Sequence, residues 1–202
     1  MTSSSAPPRA ATVTRTTRET DIRVELRLGG SGTASIRTGL GFFDHMLTAL
    51  CTHARLDLDL ACTGDLHVDD HHTIEDCALA LGQALDEALR DRRGIIRFGS
   101  AYAPLDESLC RVVVDLSGRP SSVVSLGFTR ESLGDVATEN LTHFFSSLAV
   151  GARCTLHVDC LRGENDHHRA EAAFKALALA LRQAVAVDAA NDRVPSTKGT
   201  LS

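Results

Sequence analysis

The sequence lacks two features that would identify a partner from composition alone. No segment contains the roughly 20 consecutive apolar residues that a membrane-spanning helix needs, so we expect no membrane association. There is no basic run, and 21 Lys and Arg residues against 26 Asp and Glu give a formal net charge of −5 with histidine neutral. A mildly acidic chain of this kind is a poor candidate for nucleic-acid binding.

Cysteine pairs with zinc-site spacing are also missing. No two of the six cysteines are spaced as CxxC, and several stand within apolar runs. These residues therefore favour buried free thiols in a reducing compartment, and we expect a cytoplasmic protein. The N-terminal segment is rich in Ser, Thr and Arg and free of acidic residues, as in a transit peptide, but it has no apolar core for a secretory signal. We favour a disordered tail over residues 1–14.

Two common catalytic signatures are absent. The segment PSTKG near the C-terminus does not have the GxxxxGK spacing of a phosphate-binding loop. No GxSxG sequence is present, so a nucleophilic serine of the α/β-hydrolase type has no support.

The 202 residues, 43% apolar and 23% charged, have the composition of a globular protein with a real core. Alternating patterns predict strands, and three- and four-residue apolar spacing predicts helices. Asp69 or Asp70 can cap the helix that starts near His71, and Asp166 the last helix. The predicted strands are 21–28, 56–60, 111–115, 123–126 and 155–159, and the predicted helices are 42–50, 140–149 and those starting near 71 and 166.

One pattern occurs twice. Asp-His-His-x-x-Glu stands at 70–75 and again at 166–171, and His45 and His143 each lie beside a Phe-Phe pair. A duplicated α/β half-domain explains this repetition. We expect one catalytic domain over residues 15–202, made of repeats at about 15–95 and 96–190 and a C-terminal tail.

The repeated histidines and glutamates predict two metal sites. His71 and Glu75 share one face of a helix, whereas His72 points about 100° away and reaches a different ion. Two sites of four ligands each would leave open positions, and imidazole with carboxylate suits Mn, Fe, Co, Ni or Zn. The alternative is that such histidines only cap helices, which two matching copies disfavour. The eight candidate ligands are His45, His71, His72, Glu75, His143, His167, His168 and Glu171.

The remaining charged residues carry weaker signals. His67 and His157 stand in strand-like sequence and favour structural roles, and His53 could serve either purpose. Arg119 and Lys198 lie in Ser/Gly turns, where backbone amides and a cation can meet an anion.

Seven segments together resemble imidazoleglycerol-phosphate dehydratase, in order, from about Arg15 to the C-terminus. They are RTTRET (15–20), GFFDHML (41–47), GDLHVDDHHTIED (64–76), RFG (97–99), DLSGRP (115–120), NDHHRAEAAFKA (165–176) and VPSTKG (194–199).

The resemblance implies an α/β (α+β) fold of the ribosomal protein S5 domain 2-like class, with two βαβ-rich halves of four strands each backed by helices. It implies two Mn²⁺ ions per subunit, bound by the eight residues above, and trimers that assemble into a 24-mer with shared metal sites. It implies that catalysis involves Glu19 and six of the ligands, namely His45, His71, Glu75, His143, His167 and Glu171. The implied substrate contacts are Glu19, His45, His53, Arg97, Arg119, Lys175, Thr197, Lys198 and Gly199.

The implied reaction is the dehydration of imidazoleglycerol phosphate to imidazole-acetol phosphate, the sixth step of histidine biosynthesis. The substrate's imidazole or imidazolate ring would lie between the two ions, with Glu19 as acid and base. Two alternatives use the same ligands. One is a metal-buffering or structural protein, and the other is a two-metal phosphoester hydrolase, although such hydrolases usually have Asp-rich bridging ligands.

Overall fold

The computed structural model describes residues 9–201 and contains the same arrangement of strands and helices twice. The first half comprises β1 (Ala10–Thr16), β2 (Thr20–Arg27), β3 (Ala34–Arg37), α1 (Gly41–Ala54), β4 (Asp57–Gly64) and α2 (His71–Leu89). The second comprises β5 (Phe98–Leu105), β6 (Ser108–Asp115), β7 (Ser121–Ser125), β8 (Ser132–Leu133), β9 (Val136–Ala137), α3 (Thr138–Gly151), β10 (Thr155–Arg162) and α4 (Asp166–Ala184).

Each half has one four-stranded sheet, and the two sheets have matching orders. These are β1-β2-β4-β3 and β5-β6-β10-β7, with the last strand of each pairing in parallel and the others antiparallel. The expected α/β fold of two duplicated halves is thereby confirmed. Strands β3 and β5 and the short β8–β9 hairpin of the second half lie outside the predicted strands.

The first strand begins within the segment that was predicted to be a disordered tail. Residues 10–14, predicted as part of a disordered segment, belong to β1, where Val13 is buried and pairs with Val24 of β2. Threonines at alternate positions also favour a strand here. Residues 1–8 of that predicted tail lie outside the described residues.

The caps of the two long helices differ from each other. Asp69 accepts a hydrogen bond from the His71 N–H at 2.9 Å, as predicted for the start of α2. At α4 the prediction was wrong, because Asn165 accepts from the His167 N–H at 2.9 Å. Asp166 is already the first residue of α4, and its carboxylate accepts instead from the backbone of the 129–130 segment.

The core joins the two halves through their helices, because α1 packs on α4 and α2 packs on α3. Phe144 of α3 stacks on Phe174 of α4 at 4.9 Å between ring centroids and meets the edge of Phe43 of α1 at 5.5 Å. All three rings are fully buried. Within the described ranges, no helix is both long and apolar enough to cross a membrane.

Two glycines let α2 and α3 approach each other closely. A Cβ atom at Gly82 would lie 2.6 Å from the Ala152 nitrogen and 2.7 Å from the Leu148 oxygen. A Cβ atom at Gly151 would lie 2.4 Å from the Leu79 oxygen. Because these neighbours are backbone atoms, any side chain at either position forces the two helices apart.

Gly82→Ala should therefore destabilise the protein by about 1–3 kcal/mol, the usual cost of overpacking. Without such a contact, a Gly→Ala change inside a helix stabilises the protein by up to about 1 kcal/mol. A loss of stability therefore shows that the two helices are in close contact at this position. Denaturant-induced unfolding measures the change. Gln83→Ala, at the exposed neighbouring position, is the control and should shift stability by no more than about 0.5 kcal/mol. A Gly82→Ala variant as stable as the parent would contradict the close-contact account.

Candidate metal centre

The first of two ligand clusters lies where α2 meets α3. Nε2 of His71 is 3.4 Å from one carboxylate oxygen of Glu75, and Nε2 of His143 is 3.3 Å from the other. His71 and Glu75 are one helical turn apart, and the His71 and His143 rings stack at 5.1 Å. We refer to His71, Glu75 and His143 as the first triad.

The second cluster has the same design where α1 meets α4. Nε2 of His45 and Nε2 of His167 are each 3.3 Å from the same oxygen of Glu171. His45, His167 and Glu171 form the second triad. Each triad thus takes two ligands from a helix of one half and the third from a helix of the other half.

The spacing within the triads fits a shared divalent cation. In each triad the candidate ligand atoms lie within 4.8 Å of one another. Nitrogen and oxygen ligands about 2.1 Å from one ion lie about 3.0–3.4 Å apart at octahedral or tetrahedral angles, which matches the nitrogen–oxygen distances within both triads. In the described part of the chain, Nε2 of His143 is buried without a hydrogen-bond partner, and a cation beside Glu75 would satisfy it.

A hydrogen-bonded relay orients His71 for such a role. Asn140 donates its amide to Asp70 at 3.0 Å, which leaves its carbonyl oxygen to accept from Nδ1 of His71 at 2.9 Å. Asp70 in turn accepts from the Ala137 N–H at 2.8 Å. Since the proton of His71 is held on Nδ1, its Nε2 lone pair points toward the triad.

His72 and His168 lie outside the triads of their own chain. Nδ1 of His72 donates to Asp65 at 3.0 Å, and Nδ1 of His168 donates to Glu107 at 2.7 Å. These carboxylates raise the pKa of both imidazoles. The hydrogen bonds from the Asn165 N–H and from His168 lower the pKa of Glu107. Both rings have the carboxylate–histidine arrangement typical of metal ligands, and both are partly exposed.

Lys175 makes the second triad different from the first. Its Nζ lies 2.7 Å from the second carboxylate oxygen of Glu171, one turn along α4. Partial burial opposes ionisation of Glu171, but the hydrogen bonds from Lys175 and His45 outweigh it and lower the pKa of Glu171. This carboxylate is therefore held in the ionised form that metal coordination requires.

Glu19, the predicted acid and base, lies beside His72. It stands at the β1–β2 turn, with one carboxylate oxygen 3.8 Å from Nε2 of His72. About half of its side chain is exposed to solvent (51%). The carboxylate can therefore contact a substrate that binds on the Nε2 side of the His72 ring.

Three of the predicted substrate contacts, Arg97, Arg119 and Lys198, lie in another part of the chain. Arg97 donates to both oxygens of Asp115, at 2.7 and 3.0 Å, and to the Pro195 carbonyl at 2.7 Å. It thereby lies between the turn that carries Arg119 and the tail that carries Lys198, both of which are exposed.

This basic region and the second triad lie at opposite ends of α4. The Arg97 N–H donates to the Ala184 carbonyl at the C-terminal end of the helix, whereas His167 stands in its first turn. A 19-residue helix is about 28 Å long. The two sets of residues are therefore roughly 25 Å apart within one chain.

The remaining predicted site residues are exposed and lie outside both triads. His53 is exposed in the last turn of α1, and Thr197 and Gly199 are exposed in the tail. His67 and His157 are exposed and belong to neither triad. The sequence pattern does not predict the residues that hold the histidine rings. Asp65 lies in the segment GDLHVDDHHTIED, near His72, whereas Asn140 and Glu107 have no signal in the sequence.

A comparison with protein families matches residues 38–181 to the family described as imidazoleglycerol-phosphate dehydratase. A relative of that name from Zymomonas mobilis is 58% identical over 194 residues, covering 96% of this chain and 99% of its own length. Another from Neurospora crassa is 52% identical, with both chains fully covered.

Solved structures agree with these relatives. Imidazoleglycerol-phosphate dehydratase from Staphylococcus aureus superposes with a TM-score of 0.80 at 37% identity, covering 88% of this chain and 99% of its own. The Pyrococcus furiosus structure, a complex with (S)-C348, gives a TM-score of 0.81 at 41% identity, with 94% and 100% covered.

Proposed function

The chain belongs to the imidazoleglycerol-phosphate dehydratase family, and from that premise we propose that its triads hold two Mn²⁺ ions at which imidazoleglycerol phosphate is dehydrated to imidazole-acetol phosphate. The chain is accordingly a hydro-lyase of histidine biosynthesis. The observation that carries the proposal is the pair of three-ligand clusters, each built from both halves of the chain.

The choice of ion rests on the ligand types. Both triads offer imidazole nitrogen and carboxylate oxygen without thiolate, a set that suits Mn²⁺ and its divalent neighbours. When bound, such cations act as a template and as electrostatic support for charge that develops on the substrate.

Dehydration also requires proton transfer, and Glu19 is the proposed residue for it. The reaction removes a proton from one carbon and a hydroxyl group from the next. The exposed carboxylate of Glu19, 3.8 Å from Nε2 of His72, can accept a proton from a substrate held there. Its protonated form can return a proton to carbon when the enol product becomes the ketone.

The separation along α4 supports assembly of the site from several copies of the chain. A small phosphate ester cannot reach from the second triad to Arg97 across roughly 25 Å. Each triad also offers three ligands, while His72 and His168 lie outside the triads and are partly exposed. A neighbouring subunit would bring a fourth ligand to each ion and Arg97, Arg119 and Lys198 to the phosphate. Trimers that assemble into a 24-mer would supply these residues from neighbouring subunits. The proposal also includes a cytoplasmic location.

Direct assay of the purified protein with Mn²⁺ and imidazoleglycerol phosphate tests the reaction. We expect the ketone product to form without release of inorganic phosphate. Phosphate release would instead support the phosphoester hydrolase alternative. Tight Mn²⁺ binding with neither product would support a metal-buffering protein, and either result would contradict the proposal.

Replacement of Glu19 tests the acid and base. Glu19→Gln should lower kcat by about 10²–10⁴-fold, the usual worth of general acid–base catalysis, while Mn²⁺ binding and assembly stay unchanged. Glu25→Gln is the matched control, because Glu25 lies on the exposed face of β2 beside Arg23. Near-normal turnover by the Glu19→Gln enzyme would remove Glu19 from the mechanism.

Metal removal tests the sharing of ions between subunits. If ligands of two chains hold one ion, stripping the ions with a chelator should shrink the particle toward trimers, as measured by analytical ultracentrifugation. Returning Mn²⁺ should restore the larger particle. An unchanged particle after verified loss of metal would show that the ions do not join subunits.

A further inference from the structure

We propose that Glu107 is a positioning residue that presents His168 to a metal ion, whereas the equivalent residue of the first half, Glu19, is left free for the substrate. The inference rests on the proposed function, because it concerns a ligand of the proposed ions. It assigns separate tasks to two glutamates that the duplication has placed at corresponding positions.

One oxygen of Glu107 holds the imidazole ring. Oε2 accepts from Nδ1 of His168 at 2.7 Å, the length of a strong charge-assisted hydrogen bond. A proton held on Nδ1 leaves the lone pair on Nε2, the atom that lies 3.9 Å from the exposed carboxylate of Asp106. Partners of this kind fix the tautomer and orientation of metal-bound histidines.

The other oxygen of Glu107 holds the backbone that leads into α4. Oε1 accepts from the N–H groups of Glu164 at 3.1 Å and Asn165 at 2.9 Å. Asn165 is the residue that caps α4. One carboxylate therefore fixes both the ring of His168 and the start of the helix on which His168 stands. The ring is thereby held in one orientation relative to α4.

The first half divides these tasks differently. Glu19 directly precedes β2, as Glu107 directly precedes β6, so the two occupy the same place in their hairpins. The ring of His72 is oriented by Asp65, from the segment after β4. Glu19 lies instead on the Nε2 side of His72, at 3.8 Å. The position before the strand thus supports a proposed metal ligand in the second half, through Glu107. In the first half the same position, occupied by Glu19, is available for proton transfer.

Titration of the metal-free protein with Mn²⁺, followed by electron paramagnetic resonance, tests the assignment without relying on activity. We expect two ions per chain in the parent. Glu107→Ala should weaken one class of site about 10–100-fold and leave the other unchanged. Glu107→Gln keeps the size of the side chain and one acceptor oxygen, so its loss should be smaller. Glu164→Gln is the control, because it removes an exposed carboxylate from the turn that Glu107 holds, and it should bind as the parent does.

A double-mutant cycle separates positioning of the ring from support of the loop. In a His168→Ala background, Glu107→Ala should cause little further loss of Mn²⁺ affinity, because the ring it orients is gone. An equal loss in both backgrounds would overturn the positioning role, as would unchanged binding by Glu107→Ala in the parent background. A parent protein that binds no Mn²⁺ would overturn the proposed function itself.

Discussion

The contact between helices of opposite halves is the constraint on which the site depends. His143 reaches Glu75 only because α3 crosses α2 closely, at the glycine pair Gly82 and Gly151. His45 reaches Glu171 only because α1 packs on α4. Neither half alone contains a complete triad. The buried aromatic cluster and the two sheets hold the helices in the positions that bring three ligand atoms within reach of one cation.

Duplication explains the equal ligands, and later divergence explains their unequal surroundings. Glu171 carries Lys175 one turn along its helix, whereas the corresponding neighbour of Glu75 is Leu79. His72 and His168 are likewise held by carboxylates from different segments. The two proposed ions would therefore differ in the charge around them and in the carboxylates that orient their histidine ligands. Such a difference suits a substrate whose two ends differ chemically.

Much of this arrangement could be predicted from the sequence, because the ligands repeat at helical spacing. The i,i+4 relation of His71 and Glu75 fixes their common face without any tertiary information. Pairing across the halves could not be predicted in this way, since it depends on helix packing. Orientation of the rings by Asn140 and Glu107 was also hidden, because these residues are distant in sequence from the histidines. Strand β1 was missed because its short, polar, alternating pattern resembles a flexible tail until β2 pairs with it.

The central claim is that both triads bind divalent cations. Anomalous X-ray scattering from crystals grown with Mn²⁺ tests it most directly. Two manganese peaks per chain are expected, one in contact with His71, Glu75 and His143 and the other with His45, His167 and Glu171. A single peak, or peaks away from both triads, would contradict it.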